Sequence, residues 1–85
     1  MLESAVETHL RKRVKAVGGE CIKLVGVAGI PDRLCILPGR IVFVELKRPG
    51  ERPRPLQLYW QYRLKKLGCE ATWCDSIEAV DRIIP

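Results

Sequence analysis

One predicted β-hairpin constrains the fold of this chain more than any other feature. Two apolar runs rich in β-branched side chains, 33–37 and 40–44, flank the turn dipeptide Pro38-Gly39. This pattern predicts an antiparallel pair of strands. We take Pro38 and Gly39 as the two central turn residues. A three-residue loop is the alternative and would shift the pairing by one position, because proline does not suit every two-residue hairpin turn.

The two-residue turn brings charged side chains together at one end of the hairpin. Asp32 then lies opposite Glu45, and opposed side chains are about 5 Å apart at Cβ. Lys47 points to the same face as Glu45, whereas Leu46 points into the core and leaves its carbonyl free to turn toward the carboxylates. Paired carboxylates suit Mg²⁺ or Mn²⁺, and a neighbouring lysine can stabilise developing negative charge. The plainer alternative is a junction aspartate beside a surface Glu-x-Lys pair.

The sequence around the hairpin predicts an α/β fold. Apolar side chains repeat at helical spacing before the glycine pair 18–19, and a connector rich in proline and arginine follows the hairpin. We therefore expect one domain over residues 1–85, with a mixed central sheet flanked by helices. The predicted elements are helices over 2–17, 56–67 and 76–84, and strands over 20–25, 33–37, 40–44 and 70–75.

The charge of the chain favours a polyanionic partner. Fifteen Lys and Arg residues outnumber ten Asp and Glu residues, for a net charge of +5. Small basic proteins without such a partner are also common, so charge alone leaves both possibilities open. No apolar run has the roughly 20 residues of a membrane span, which predicts a cytoplasmic protein with no membrane partner. The candidate phosphate contacts are Lys12, Lys15, Lys23, Arg48, Arg52, Arg54, Lys65 and Lys66.

The cysteines predict no metal centre of their own. Cys21, Cys35 and Cys74 fall in strand-like runs, where cysteine behaves as a small buried hydrophobe. Together with Cys69 they show no C-x-x-C spacing, and a single histidine is available to join them. Neither a zinc site nor a disulfide is expected.

The predicted helix over 56–67 carries two apolar faces. The arc that we assign to the sheet consists of Leu56, Trp60, Leu64 and Leu67. The arc on roughly the opposite side consists of Leu58, Tyr59 and Tyr62. An outward apolar cluster on a small domain is typical of a partner surface, so we expect a homodimer. The alternative is that these amphipathic side chains only cover the helix surface.

Two polar residues at the margins of helices are further site candidates. Glu7 lies at the edge of the apolar stripe of the first helix, where it can reach the sheet. Gln57 begins the second long helix at the border of its sheet-facing arc. Glu7 could instead be a solvated partner of Glu3 in an i,i+4 acidic pair, and Gln57 a simple polar residue of a first helical turn.

The combination of these motifs resembles a known family. Glu7 on a first helix, Gly-Ile-Pro-Asp at 29–32, Val-Glu-Leu-Lys at 44–47 and the downstream Gln57 are similar to the PD-(D/E)xK nuclease superfamily. More narrowly, they resemble the stand-alone VRR-NUC (virus-type replication-repair nuclease) domain. The resemblance covers nearly the whole chain and implies a restriction-endonuclease-like αβββαβ core.

The resemblance also implies roles for individual residues. Asp32 and Glu45 would bind Mg²⁺ or Mn²⁺ with the backbone carbonyl of Leu46, and Lys47 would position or activate a water molecule. Glu7 would add an acidic contact to the metal. Gln57 would steady the site or the scissile phosphate.

The substrate expected from the resemblance is branched DNA. Stand-alone members of the family, and the similar archaeal Holliday junction resolvases, act as dimers on such DNA. The expected activity is therefore that of a homodimeric, metal-dependent, structure-selective endonuclease. It would act in the cytoplasm, or in the host cytoplasm if it is phage-encoded, with a replication or repair protein as a partner. The alternatives are a non-catalytic nucleic-acid-binding module and a flap or single-strand nuclease.

Overall fold

The computed structural model describes residues 3–85 as three helices around a four-stranded mixed sheet. This architecture confirms the predicted fold class and the predicted order of elements. The predicted start of the first helix at Leu2 lies outside the described residues. The elements are α1 (Glu3–Ala16), β1 (Glu20–Lys23), β2 (Arg33–Leu37), β3 (Arg40–Leu46), α2 (Pro55–Lys66), β4 (Glu70–Cys74) and α3 (Ile77–Ile83).

The hairpin has the predicted register. Arg33 pairs with Val44 and Leu37 pairs with Arg40, so the turn holds two central residues. Gly39 adopts a φ of +70°, which glycine reaches without steric cost. Strand β3 is antiparallel to β2 and parallel to β4, and α2 supplies the crossover that a parallel pair needs.

Three strand boundaries differ from the prediction, and the smallest difference is that β4 ends at Cys74 instead of residue 75. Strand β1 ends at Lys23 instead of residue 25: the Leu24 N–H donates to the Asp32 carbonyl at 2.9 Å, and Val25 is 78% exposed. Strand β3 continues to Leu46 because β4 pairs with its final residues. The chain therefore leaves the sheet after Lys23 and rejoins it at Arg33, directly after Asp32. Glu45 lies in β3, which is the strand between β2 and β4.

The main core lies between one face of the sheet and helices α1 and α3. It is built from β-branched and other apolar side chains that alternate along the strands and repeat along α1. Cys35 and Cys74 are buried within it, as their strand-like surroundings predict. The cluster consists of Val6, Leu10, Val14, Cys35, Val42, Val44, Leu46, Cys74, Val80 and Ile84.

Helix α2 covers the other face only in part, packing mainly along β4. Leu64 is buried as predicted, but Leu67 is 60% exposed and Leu56 is half-exposed, so assigning these two to the sheet was wrong. Leu67 follows the last helical residue, where the chain turns away toward β4. Trp60 donates a hydrogen bond to the Ala28 carbonyl at 3.1 Å and thereby anchors α2 to the loop before Asp32.

The uncovered part of this second face is apolar. Directly opposed residues in neighbouring strands share a face, so five side chains from β1, β2 and β3 form one surface beside α2. Three of them are more than one-third exposed. We call this surface the open sheet face; it consists of Ile22, Leu34, Ile36, Ile41 and Phe43. None of the helices within residues 3–85 combines the length and apolarity required to span a membrane.

Candidate active site

Asp32, Glu45 and Lys47 meet at the end of the sheet where β2 begins and β3 ends. Asp32 Oδ2 accepts a hydrogen bond from the Leu46 N–H at 2.8 Å, which ties the start of β2 to the end of β3. Lys47 Nζ lies 3.4 Å from Glu45 Oε2. The Lys47 N–H donates to the Cys74 carbonyl at 2.9 Å, so β4 also holds the lysine. The structure thus brings together the three side chains that the hairpin register predicts to be neighbours.

Glu45 is the most unusual ionisable group of this site. Its side chain is 2% exposed, and its Oε1 atom is buried without a hydrogen-bond partner among the described residues. Burial, followed by the negative charge of Asp32, raises the pKa of Glu45 from its ordinary 4.5 to about 7, against the opposing effect of Lys47. A buried carboxylate oxygen left open beside a second carboxylate is a donor set that fits a hard divalent cation.

Leu46 contributes through its backbone. Its side chain is buried in the main core, as predicted, while its N–H is bound by Asp32. Its carbonyl stays a predicted metal ligand.

Glu7 reaches the sheet, as predicted, but its contact there is a cation. Glu7 Oε2 lies 3.0 Å from both Nε and Nη2 of Arg33, a residue that is itself buried. Side chains alternate along β2, so Arg33 points toward α1 while Asp32 points to the opposite face. Within residues 3–85 no three His, Cys, Asp or Glu side chains are grouped to hold a metal. The metal contact of Glu7 stays a prediction.

Arg33 itself escaped the sequence reasoning. It occupies the same face of β2 as the core residue Cys35, and a charged side chain at a core-facing position signals a buried partner. That signal was available from the alternation of the strand. Glu7, at the edge of the apolar stripe of α1, is the partner.

Gln57 stabilises the start of α2 in this structure. Its Oε1 accepts the Arg54 N–H at 2.7 Å, a capping contact that satisfies one of the free backbone donors of the helix. Its role toward a phosphate stays a prediction. Gln61, one turn later, is the polar residue that α2 buries: its Nε2 donates to the Thr72 carbonyl at 2.9 Å, and its buried Oε1 has no partner among the described residues. The hydrophobic pattern of the helix gave no sign of it.

All eight predicted phosphate contacts lie on the surface. Lys23 is the last residue of β1 and pairs with Arg33, the residue directly after Asp32. Arg48 is engaged by Glu51 at 2.6 Å, and Lys66 Nζ lies 3.2 Å from the Tyr62 hydroxyl. The other exposed members are Lys12, Lys15, Arg52, Arg54 and Lys65. Their contacts with a nucleic acid stay predictions.

The outer face of α2 is exposed as the helical pattern predicts. Leu58, Tyr59 and Tyr62 are each at least half-exposed. We call these three residues the outer α2 face. Together with the open sheet face they form a candidate apolar interface, and the partner of this interface stays a prediction.

Comparison with known proteins gives two close likenesses. No family model matches the chain. The chain is 44% identical over 86 residues to a protein named "Putative nuclease p44" from Acyrthosiphon pisum secondary endosymbiont phage 1, covering 98% of this chain and 91% of that protein. A solved structure described as "VRR_NUC domain" superposes with a TM-score of 0.89 and 38% identity, covering 96% of this chain and 92% of that one.

The fold and these likenesses define the class of this protein, which is a nuclease. More narrowly, the chain belongs to the VRR-NUC family, and the resemblance seen in the sequence is confirmed.

Proposed function

We propose that residues 1–85 form a single metal-dependent endonuclease domain that hydrolyses phosphodiester bonds in branched DNA and acts as a homodimer. The observation that carries the metal-dependent chemistry is the environment of Glu45. Its buried Oε1 has no hydrogen-bond partner within the described part of the chain, while Asp32 and Lys47 flank the same carboxylate. Such an oxygen is costly to bury unless a ligand completes it.

The two carboxylates at this end of the sheet support a metal site there. Asp32 and Glu45 would hold Mg²⁺ or Mn²⁺ with the Leu46 carbonyl. The additional contact of Glu7 stays a prediction, because Glu7 binds Arg33 on the other face of the sheet. When bound, the ion supplies Lewis-acid polarisation of the phosphate and an acidified water molecule. Protons compete with the ion for Glu45, because its pKa is raised to about 7, so metal affinity rises as the pH increases through neutrality.

Lys47 provides the positive charge next to the reacting phosphate. Its ammonium group is largely buried and lies 3.4 Å from Glu45 Oε2, so its position is fixed by the carboxylate. A fixed cation in a water-poor site can orient a water molecule and stabilise the negative charge that develops on the phosphate oxygens. Gln57 would steady the same phosphate from the start of α2.

Dimer formation would explain selectivity for branched DNA. The outer α2 face and the open sheet face offer an apolar surface on one side of the protomer, and a second copy is the partner we propose. A two-fold axis would present two sites to two strands. The cytoplasmic location and a replication or repair partner stay predictions.

The test incubates the protein with linear duplex, single-stranded, flap and four-way-junction DNA in Mg²⁺, Mn²⁺ or EDTA. We expect metal-dependent cutting of the branched substrates above all others. No cleavage of any substrate with metal would leave a non-catalytic binding module. Equal cutting of linear duplex would refute branch selectivity, and preference for single strands would favour a flap or single-strand nuclease. Sedimentation should give about twice the 9.7 kDa mass of the chain; a monomer at micromolar concentration would refute the dimer.

A further inference from the structure

A basic groove runs between α1 and the edge strand β1. It encloses about 520 Å³ and is lined by Thr8, Arg11, Lys12, Lys15, Glu20 and Cys21, with Gly19 at the turn between the two elements. Three cationic side chains thus face a single carboxylate across a concave surface. A concave site with one dominant sign of charge concentrates ligands of the opposite sign.

The three cations are not neutralised by ion pairs of the protein. Other arginines are engaged by carboxylates: Arg33 by Glu7, Arg40 by Glu70, and Arg48 by Glu51. Among the side chains of residues 4–85, no such ion pair involves the three cations of the groove, which are Arg11, Lys12 and Lys15. Their charge is therefore available to an external anion.

The groove also contains a half-buried thiol, Cys21. A hydrogen bond with Cys35, whose sulfur lies 3.9 Å away, lowers the pKa of Cys21 to about 7 against the opposing effect of burial, and the charges of Arg33 and Arg11 lower it further. The Cys21 thiol can therefore report whether the groove is occupied.

No aromatic ring lines the groove. Phe43 and Trp73 lie on the opposite face of the sheet, and the remaining aromatic residues belong to α2. Proteins that hold single strands stack the unpaired bases on aromatic side chains, whereas contacts to the duplex backbone need only cations and polar groups. The lining therefore suits a sugar-phosphate backbone whose bases remain paired.

The groove is connected to the candidate active site through Glu7 and Arg33. Thr8 at one end of the groove follows Glu7, which binds Arg33, the residue next to Asp32. Lys23 ends β1 at the same place. We propose that the groove binds the backbone phosphates of a duplex arm of the DNA substrate, away from the cleaved bond; this inference rests on the proposed nuclease function for the identity of the nucleic acid.

The first experiment measures binding of a fluorescent DNA duplex in EDTA, so that cleavage plays no part. The variant Arg11→Ala/Lys15→Ala removes two charges from the groove, and Arg63→Ala/Arg82→Ala removes two exposed charges elsewhere. Each lost phosphate contact reduces the steepness of the plot of log affinity against log salt concentration by about 0.9. When salt rises from about 50 to 200 mM, the fold-loss of affinity should therefore be about 12 times smaller for the groove variant than for the native protein. The control should keep the native slope.

The outcomes separate the groove from the catalytic site. Equal salt slopes for the groove variant and the native protein would refute DNA binding by the groove. An equal reduction of the slope in both double variants would also refute it. Duplex binding with the expected slopes by a protein that cuts no DNA would support the groove and refute the nuclease proposal. Circular dichroism verifies that both variants are folded.

A second experiment uses the thiols as a footprint. Cys21 lines the groove, while Cys69 is exposed at the end of α2 and serves as an internal control. Bound duplex should slow alkylation of Cys21 by iodoacetamide at least tenfold and leave Cys69 unchanged, as read by peptide mass spectrometry; the tenfold figure is about the change that 90% occupancy gives. Unprotected Cys21 at saturating DNA, or equal protection of both thiols, would overturn the inference.

Discussion

Ionisation of Glu45 should make the metal-free protein less stable as the pH rises. Its pKa lies at about 7 in the folded chain against an ordinary 4.5, so the folded state binds the proton more tightly than the unfolded state. The stability associated with this proton is fully present below pH 4.5 and is lost as the pH rises through about 7. At about 1.4 kcal/mol per pKa unit, the loss is at most about 3.5 kcal/mol.

The assay is urea denaturation in EDTA at a series of pH values from 4 to 8. Glu45→Gln cannot ionise, so its free energy of unfolding should lack this component of the pH dependence. The slope is the relevant quantity, because the substitution also deprives the buried Lys47 of its partner and changes the absolute stability. Adding Mg²⁺ should stabilise the native protein more at pH 8 than at pH 5.

Glu70→Gln is the matched control. Glu70 is exposed, and its hydrogen bond with Arg40 lowers its pKa, so its contribution has the opposite sign and is lost as the pH falls. This variant should keep the native loss of stability between pH 4.5 and 7. If the stability of Glu45→Gln showed the same pH dependence as that of the native protein, the raised pKa of Glu45 at the centre of the proposed metal site would be refuted.

Three further predictions concern catalysis, the loop before Asp32 and the dimer. Lys47→Ala should slow cleavage at least about 100-fold while DNA binding persists, as single-turnover and anisotropy measurements would show; unchanged cleavage would remove its role. Gly29→Ala should lower the free energy of unfolding in urea by about 2–3 kcal/mol, because the φ of Gly29 is +82° and a Cβ would lie 2.6 Å from Leu56 Cγ. Gly26→Ala is the control: its φ is +91° but a Cβ would meet open space, so the loss should be about 1 kcal/mol. Equal losses would refute the packing argument. Ile41→Glu on the open sheet face should yield a folded monomer in sedimentation; an intact dimer would exclude that face.

The hairpin shows how far local sequence rules reach. The turn dipeptide favoured a two-residue loop over the three-residue alternative, and the structure has the two-residue loop. The alternation of side chains then determines which residues share a face. Both rules act between residues a few positions apart along the chain. The approach of Asp32 to Glu45 and Lys47, and the burial of Leu46, could therefore be predicted without knowledge of any helix position.

Helix α2 shows where those rules stop. Its apolar residues fall into arcs, but the arcs do not say where along the sheet the helix lies. The helix packs along β4, which buries Gln61 and leaves Leu67 in solvent. The prediction for Leu67 failed because exposure depends on the packed partner and not on helical spacing alone.

The sequence by itself determined the order of elements, the hairpin register and the Asp32–Glu45–Lys47 cluster, since each follows from short-range pattern and strand geometry. Only the tertiary structure decided that Glu45 is buried with an unpartnered oxygen, that Glu7 binds Arg33, and that a basic groove borders β1. These features arise where separate elements pack against one another. Burial and charge pairing are properties of that packing, so no local pattern could specify them.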